Sequence, residues 1–251
     1  MELADHALVL VAALVAGAVN AVAGGGSLLT FPALLAVGFE PVAASVTNTL
    51  GLLAGYVGGA HAYRVEIRDQ RARARRLSVP AGLGAVAGAA ALLLGPESVF
   101  EAIVPYLVLA AGLLLAAQPR VSAWVLRHGR ADAELPGSLL VLTFVGGAYG
   151  AYFGGALGVI LLAALGAVLA EDLQRTNALK SFLSLVINTV AVTVFVFAPQ
   201  AQWATVAVMA VGSLLGGRVG AGFARRLGAT TLRRIVVAFA LTVGAILLVQ
   251  G

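Results

Sequence analysis

Two residue pairs recur at one spacing, and their types suit oxyanion binding better than covalent chemistry. Gly25-Gly26 and Gly154-Gly155 stand 129 residues apart, and so do Thr47-Asn48 and Thr176-Asn177. Each glycine pair interrupts a long apolar run, in AGGGSLLTFP (Ala23–Pro32) and in YGAYFGGALG (Tyr149–Gly158). Glycine weakens a helix and lets a ligand approach the backbone closely. A helix restarting after each break, at about Ser27 and about Ala156, presents free N–H groups and a partial positive charge. Ser27 adds a hydroxyl to the first. Thr47, Asn48, Thr176 and Asn177 add short polar groups that bond oxygen without a fixed charge. Two such N-termini brought together near the middle of a membrane make one oxyanion cradle. Thr and Asn in apolar helices also bond across helices or cap a broken one, and both roles stay open at this point.

Lys180 and Arg175 are the two basic residues that stand apart from the arginine clusters described below. Lys180 lies about five residues into the helix expected over 175–198, roughly 7–8 Å from its start. An ionisable group at such a place marks a functional site by default. Snorkelling of its ammonium to the inner surface is the plainer alternative. Gly51 holds the corresponding position in the first half, so the charge is one-sided. Asn20, Tyr149 and Tyr152 flank the breaks, while Ser184 and Asn188 lie deeper on the Lys180 helix.

Enzymatic chemistry finds little support. A nucleophilic Ser27 needs a base within hydrogen-bond reach. The three histidines are His6, His61 and His128, and only His61 is near a span, at its end. There is no HExxH motif, no carboxylate cluster and no cysteine, so no metal or other cofactor is expected.

The elements that position these residues follow from composition and charge. Hydrophobic residues make up 61% of the 251, charged residues 11%, and the mean hydropathy is +1.00. A soluble domain carries roughly a quarter charged residues, so the chain reads as a polytopic membrane protein. The pI near 10.2 comes from arginines that flank spans. That pattern argues for lipid contact and against nucleic acid. The N-terminal apolar run lacks a basic leader region and reads as a retained segment.

Fourteen of the 16 basic residues fall in three hydrophilic stretches. The first holds Arg64, Arg68, Arg71, Arg73, Arg75 and Arg76; the second Arg120, Arg127 and Arg130; the third Arg218, Arg225, Arg226, Arg233 and Arg234. Lys and Arg are retained in the cytoplasm when short loops are sorted, so all three are expected inside, as loops. Glu2 with Asp5, Glu40, and Glu97 with Glu101 mark the outer face, and both termini are expected there, in the periplasm.

A crossing helix needs about 20 apolar residues. Expected spans are 42–63, 77–95, 98–118, 175–198, 201–217 and 232–250. Residues 6–38 and 137–170 are expected as glycine-broken hairpins that enter and return, either re-entrant or spanning twice. The arm 28–38 reaches only about 16 Å. Residues 1–118 thus form a first repeat, 119–136 a cytoplasmic linker, and 137–251 a second repeat. The Thr-Asn helix runs inward in one and outward in the other. The expected fold is all-α, with two inverted-topology repeats, each a broken hairpin plus three transmembrane helices. Inverted repeats with broken helices are the architecture of secondary transporters, with substrate bound near the midplane. A small-anion channel of the same fold is the alternative, separable by turnover and by exchange across the membrane. Small-xxx-small patches at Gly84/Gly88 and Gly212/Gly216/Gly220 predict close helix contact, within one chain or between two copies of a homodimer.

The break followed by LLTFPALLAVG and SVTNTLGLLAGYVGG (Ser45–Gly59) resembles the TauE/SafE sulfite exporter family, also called TSUP. YGAYFGGALG with LQRTNALKSFLSLVIN (Leu173–Asn188) is similar to that family's second repeat. The resemblance spans about residues 6–250. It implies export or import of sulfite, organosulfonates, thiosulfate or related small anions across the bacterial inner membrane; a negative cell interior drives anions outward, which makes export the expected direction. On that reading the substrate-binding candidates are Gly25, Gly26, Ser27, Thr47, Asn48, Gly154, Gly155, Thr176, Asn177 and Lys180.

Overall fold

A computed structural model describes residues 3–22, 25–128, 136–169, 172–227 and 229–250. Arg130, Glu171, residues 129–135 of the expected linker and residues 23–24 of the first break lie outside the described residues. Apart from short connections the described chain is helical. In order the helices are α1 (Leu3–Val22), α2 (Ser27–Ala36), α3 (Pro41–Ala62), α4 (Arg64–Asp69), α5 (Arg71–Leu94), α6 (Glu97–His128), α7 (Gly137–Tyr152), α8 (Leu157–Val168), α9 (Leu173–Phe195), α10 (Trp203–Leu227) and α11 (Ala229–Gln250).

Four of these helices are long and apolar enough to cross a membrane by length and composition, within α1, α5, α6 and α9. The chain is an all-α polytopic membrane protein. Each region expected as a broken hairpin is two helices around a break, α1 with α2 and α7 with α8. At 1.5 Å per residue the return arms α2 and α8 reach about 15 and 18 Å. That is little more than half of a hydrocarbon core about 30 Å thick.

The arginine stretches differ from expectation. They are helical for most of their length, as α4, the first turns of α5, the end of α6 and the end of α10. Arginine is a good helix former, so a helix leaving an apolar layer has no reason to stop at its first charge. The helix expected to end at 118 likewise continues through Pro119 to His128.

Packing answers the small-residue question. α1 lies along α10 and α5 lies along α7, so each hairpin's first arm packs on a helix from the other half. A Cβ on Gly84 or Gly88 would be driven into the carbonyl oxygens of Phe144 and Ala148 on α7. One on Gly212 or Gly216 would meet those of Leu10 and Leu14 on α1. At these four glycines the close helix contact lies within the chain. Outward-facing apolar side chains such as Val11, Leu83, Leu113, Val141 and Val211 form the surface that lipid covers. Trp124 and Trp203 are exposed near helix ends, where amphipathic rings suit the membrane–water boundary.

Candidate functional site

At the first break the chain leaves α1 and restarts as α2 at Ser27. Gly25 has φ +105°, a region closed to most side chains. Its carbonyl accepts the Leu28 N–H at 3.0 Å, and that of Gly26 accepts the Leu29 N–H at 2.9 Å. The Gly26 N–H is donated to Asn20 Oδ1 at 2.8 Å. The first turn of α2 thus spends several of its N–H groups locally and is a tighter cradle than the sequence suggests.

The second break is built on the same plan. Gly154 has φ +76° and Ala156 φ +54°. The Leu157 N–H is donated to the Gly154 carbonyl at 3.3 Å as α8 begins. The Tyr149 hydroxyl donates to the Gly155 carbonyl at 2.6 Å. Phe31 of α2 meets Phe153 of this break edge to face, with ring centroids 5.3 Å apart. Ser45 of α3 donates to the Tyr152 carbonyl at 3.3 Å. The two breaks are therefore joined by an aromatic contact and held by α3.

One small cavity, about 30 Å³, touches both breaks. Gly25 and Gly154 line it, with Asn20 from α1 and Leu157 and Gly158 from α8. α3 contributes Gly55, Tyr56 and Gly59; α9 contributes Lys180, Ser181 and Ser184. Its polar wall is amide, phenol, ammonium and two hydroxyls, with no carboxylate. By volume it holds about two waters. A wider groove of about 680 Å³ lies by Phe39, Pro105 and Leu247, with Glu101 at its edge. Its apolar wall and single acid suit lipid better than an anion.

Lys180 is 9% exposed and does not run out to the surface. α9 begins at Leu173, two residues earlier than expected, so Lys180 lies about 10 Å along it. Its ammonium donates to Asn177 Oδ1 at 2.9 Å, one helical turn back. That bond occupies one of three donors and fixes the ammonium at the cavity.

The other candidates divide. Gly26, Ser27 and Gly155 belong to the breaks beside the cavity, and the Tyr56 side chain lies close to those of Ser27 and Asn188. Asn48 is buried and accepts a hydrogen bond from the Thr30 hydroxyl, tying α3 to the short arm α2. Thr47 accepts the Gln202 N–H at 3.3 Å, next to the start of α10. Thr176 donates to the Asp172 carbonyl of its own helix at 3.0 Å. The structure gives all three side chains protein partners away from the cavity. Gly55, Tyr56, Gly59, Gly158 and Ser181 line it without having been singled out by sequence. Their signal was spacing alone: Lys180, Ser181 and Ser184 share one face of α9, and Gly55 and Gly59 one face of α3.

The family model for the sulfite exporter TauE/SafE matches residues 9–247. The chain is 30% identical over 242 residues to the probable membrane transporter protein ORF9 of a Sinorhizobium species, covering 94% of this chain and 90% of that one. It is 28% identical over 245 residues to the probable membrane transporter protein YfcA of Escherichia coli, covering 94% and 87%. A probable membrane transporter protein of Haemophilus influenzae is 30% identical over 227 residues, covering 89% and 86%. No solved structure matches. The chain belongs to the sulfite exporter TauE/SafE family, whose members are membrane transporters and not enzymes.

Proposed function

We propose that this transporter carries a small sulfur-containing oxyanion, sulfite or a compact relative, outward across the bacterial inner membrane by alternating access. The observation that carries the reading is a cavity that touches Gly25, Gly154 and Lys180 and meets no carboxylate among the described residues. A cluster of donors around a buried ammonium attracts an anion. Nothing in that wall would pair with the ammonium of a zwitterion such as taurine, and its small volume favours inorganic anions over long organosulfonates.

The arginine-rich ends are cytoplasmic in this reading, and the two halves are related by inverted topology. The exchange of first arms, α1 onto α10 and α7 onto α5, supports that relation. Cysteines placed at Arg71 and Arg127 of this cysteine-free chain then resist an impermeant reagent added to intact cells. Ready labelling there would reverse the topology. A negative cell interior drives an anion outward by about 2.3 kcal/mol per charge per 100 mV. No acid is among the described residues lining the cavity, which supports efflux without a proton partner.

The test uses proteoliposomes loaded with radiolabelled sulfite, the potential set by potassium and valinomycin. Efflux that follows the potential, ignores an imposed pH gradient after correction for sulfite ionisation, and speeds up with sulfite outside supports a carrier. Rapid flux with no such acceleration indicates an anion channel. Absence of sulfite, thiosulfate and sulfonate flux would overturn the reading.

A further inference from the structure

We propose that Asn20 is a substrate-orienting residue whose amide NH2 donates a hydrogen bond to the anion held between the two breaks, opposite Lys180. This rests on the anion reading above. Asn20 stands two residues before the end of α1 and lines the cavity. Its Oδ1 accepts the Gly26 N–H at 2.8 Å. That contact decides which end of the amide is which, because the reverse would set NH2 against N–H. The NH2 is thus turned away from Gly26. It is fully buried and has no hydrogen-bond partner among the described residues.

Native proteins almost always satisfy a buried donor. Within a membrane there is no bulk water to do so. The adjoining cavity is the available source of a partner, and an oxyanion there supplies acceptor oxygens. The matching residue of the second half sharpens the point. Tyr149 lies 129 residues on and commits its only O–H to the Gly155 carbonyl. Asn20 instead has two ends: one steadies the break, and the other is left for a ligand. Because that end can only donate, it recognises oxygen and rejects an ammonium.

The two ends separate by mutation. Asn20→Asp keeps an oxygen for Gly26 and replaces NH2 with oxygen; Asn20→Met removes both. The full chain is purified in detergent, and its thermal unfolding is followed against sulfite concentration. Asn20→Asp is expected to unfold within about 2 °C of wild type without ligand, yet to lose about 30-fold or more in sulfite affinity. Asn20→Met is expected to unfold at lower temperature and to lose about tenfold in affinity. Should it not fold, Asn20→Ala serves the same comparison. Wild-type affinity in Asn20→Asp overturns the proposal. So does wild-type affinity in folded Asn20→Met, because the loss in Asn20→Asp is then only added charge. If the wild-type protein is stabilised by neither sulfite, thiosulfate nor sulfate, the anion reading itself has failed, and the role of Asn20 falls with it.

Discussion

At the first break the side chain six residues upstream, Asn20, accepts the Gly26 N–H. At the second the side chain in the same place, Tyr149, donates to the Gly155 carbonyl. The two clamps join matching positions and carry opposite polarity. The first consumes a donor at a helix start, whereas the second consumes an acceptor. The same imbalance runs through the neighbouring helices. α9 brings Lys180, Ser181 and Ser184 to the cavity, while α3 brings Gly55, Tyr56 and Gly59. Gly51, which corresponds to Lys180, is pressed against Met209 instead. In the proposed two-repeat arrangement the chemistry is one-sided, because the charged side chain at the cavity, Lys180, comes from the second half.

The largest effects should come where both halves depend on glycine geometry. Gly25→Val and Gly154→Val put a β-branched residue at φ +105° and +76°, which sterics forbid. Both should reduce sulfite flux in proteoliposomes to background. If either variant transports normally, that break is not part of the site. Next comes the one-sided charge. Lys180→Met should weaken sulfite binding about 10- to 100-fold, or roughly 1.4–2.8 kcal/mol, and leave the melting temperature equal or higher because a buried charge is gone. Unchanged affinity would remove the asymmetry. Asn48→Leu should act mainly on stability. It loses the Thr30 bond, at about 1–1.5 kcal/mol because the Thr30 hydroxyl can still donate to the Gly26 carbonyl, while flux per folded molecule stays within about threefold of wild type. A loss of flux without a loss of stability would return Asn48 to the substrate. The smallest effect belongs to Tyr149→Phe. It removes one hydrogen bond, about 1 kcal/mol, and should leave sulfite affinity within about threefold, in contrast to Asn20→Asp.

These contrasts show what the residues disclosed by themselves. The breaks were legible because their glycine pairs share one spacing with the Thr-Asn pairs, and both sit where helices end, whereas Gly146-Gly147 and Gly216-Gly217 stay inside helices. The helices were legible from hydropathy, their ends much less so. Arg71 to Arg76 signal the edge of the membrane, but a helix continues through them because arginine does not break helices. Thr47-Asn48 and Thr176-Asn177 stood out as polar pairs at a shared spacing. In the structure Asn177 holds Lys180, while Thr47, Asn48 and Thr176 bond protein groups. A polar residue in an apolar helix needs a partner, and the spacing does not say whether that partner is protein or ligand. Gly55 and Gly59 were invisible for a simpler reason. With 31 glycines in the chain, a glycine that makes room for a cavity looks like one that makes room for a helix.

The central claim is that one anion sits between the two breaks beside Lys180. Selenite has the shape of sulfite and an anomalously scattering centre, so crystals of the full-length protein soaked in it test the claim directly. The account predicts one dominant anomalous peak bounded by Gly25 and Gly154, with an oxygen about 3 Å from Lys180 Nζ. A dominant peak elsewhere, or no peak there at selenite concentrations that stabilise the protein in solution, would contradict it.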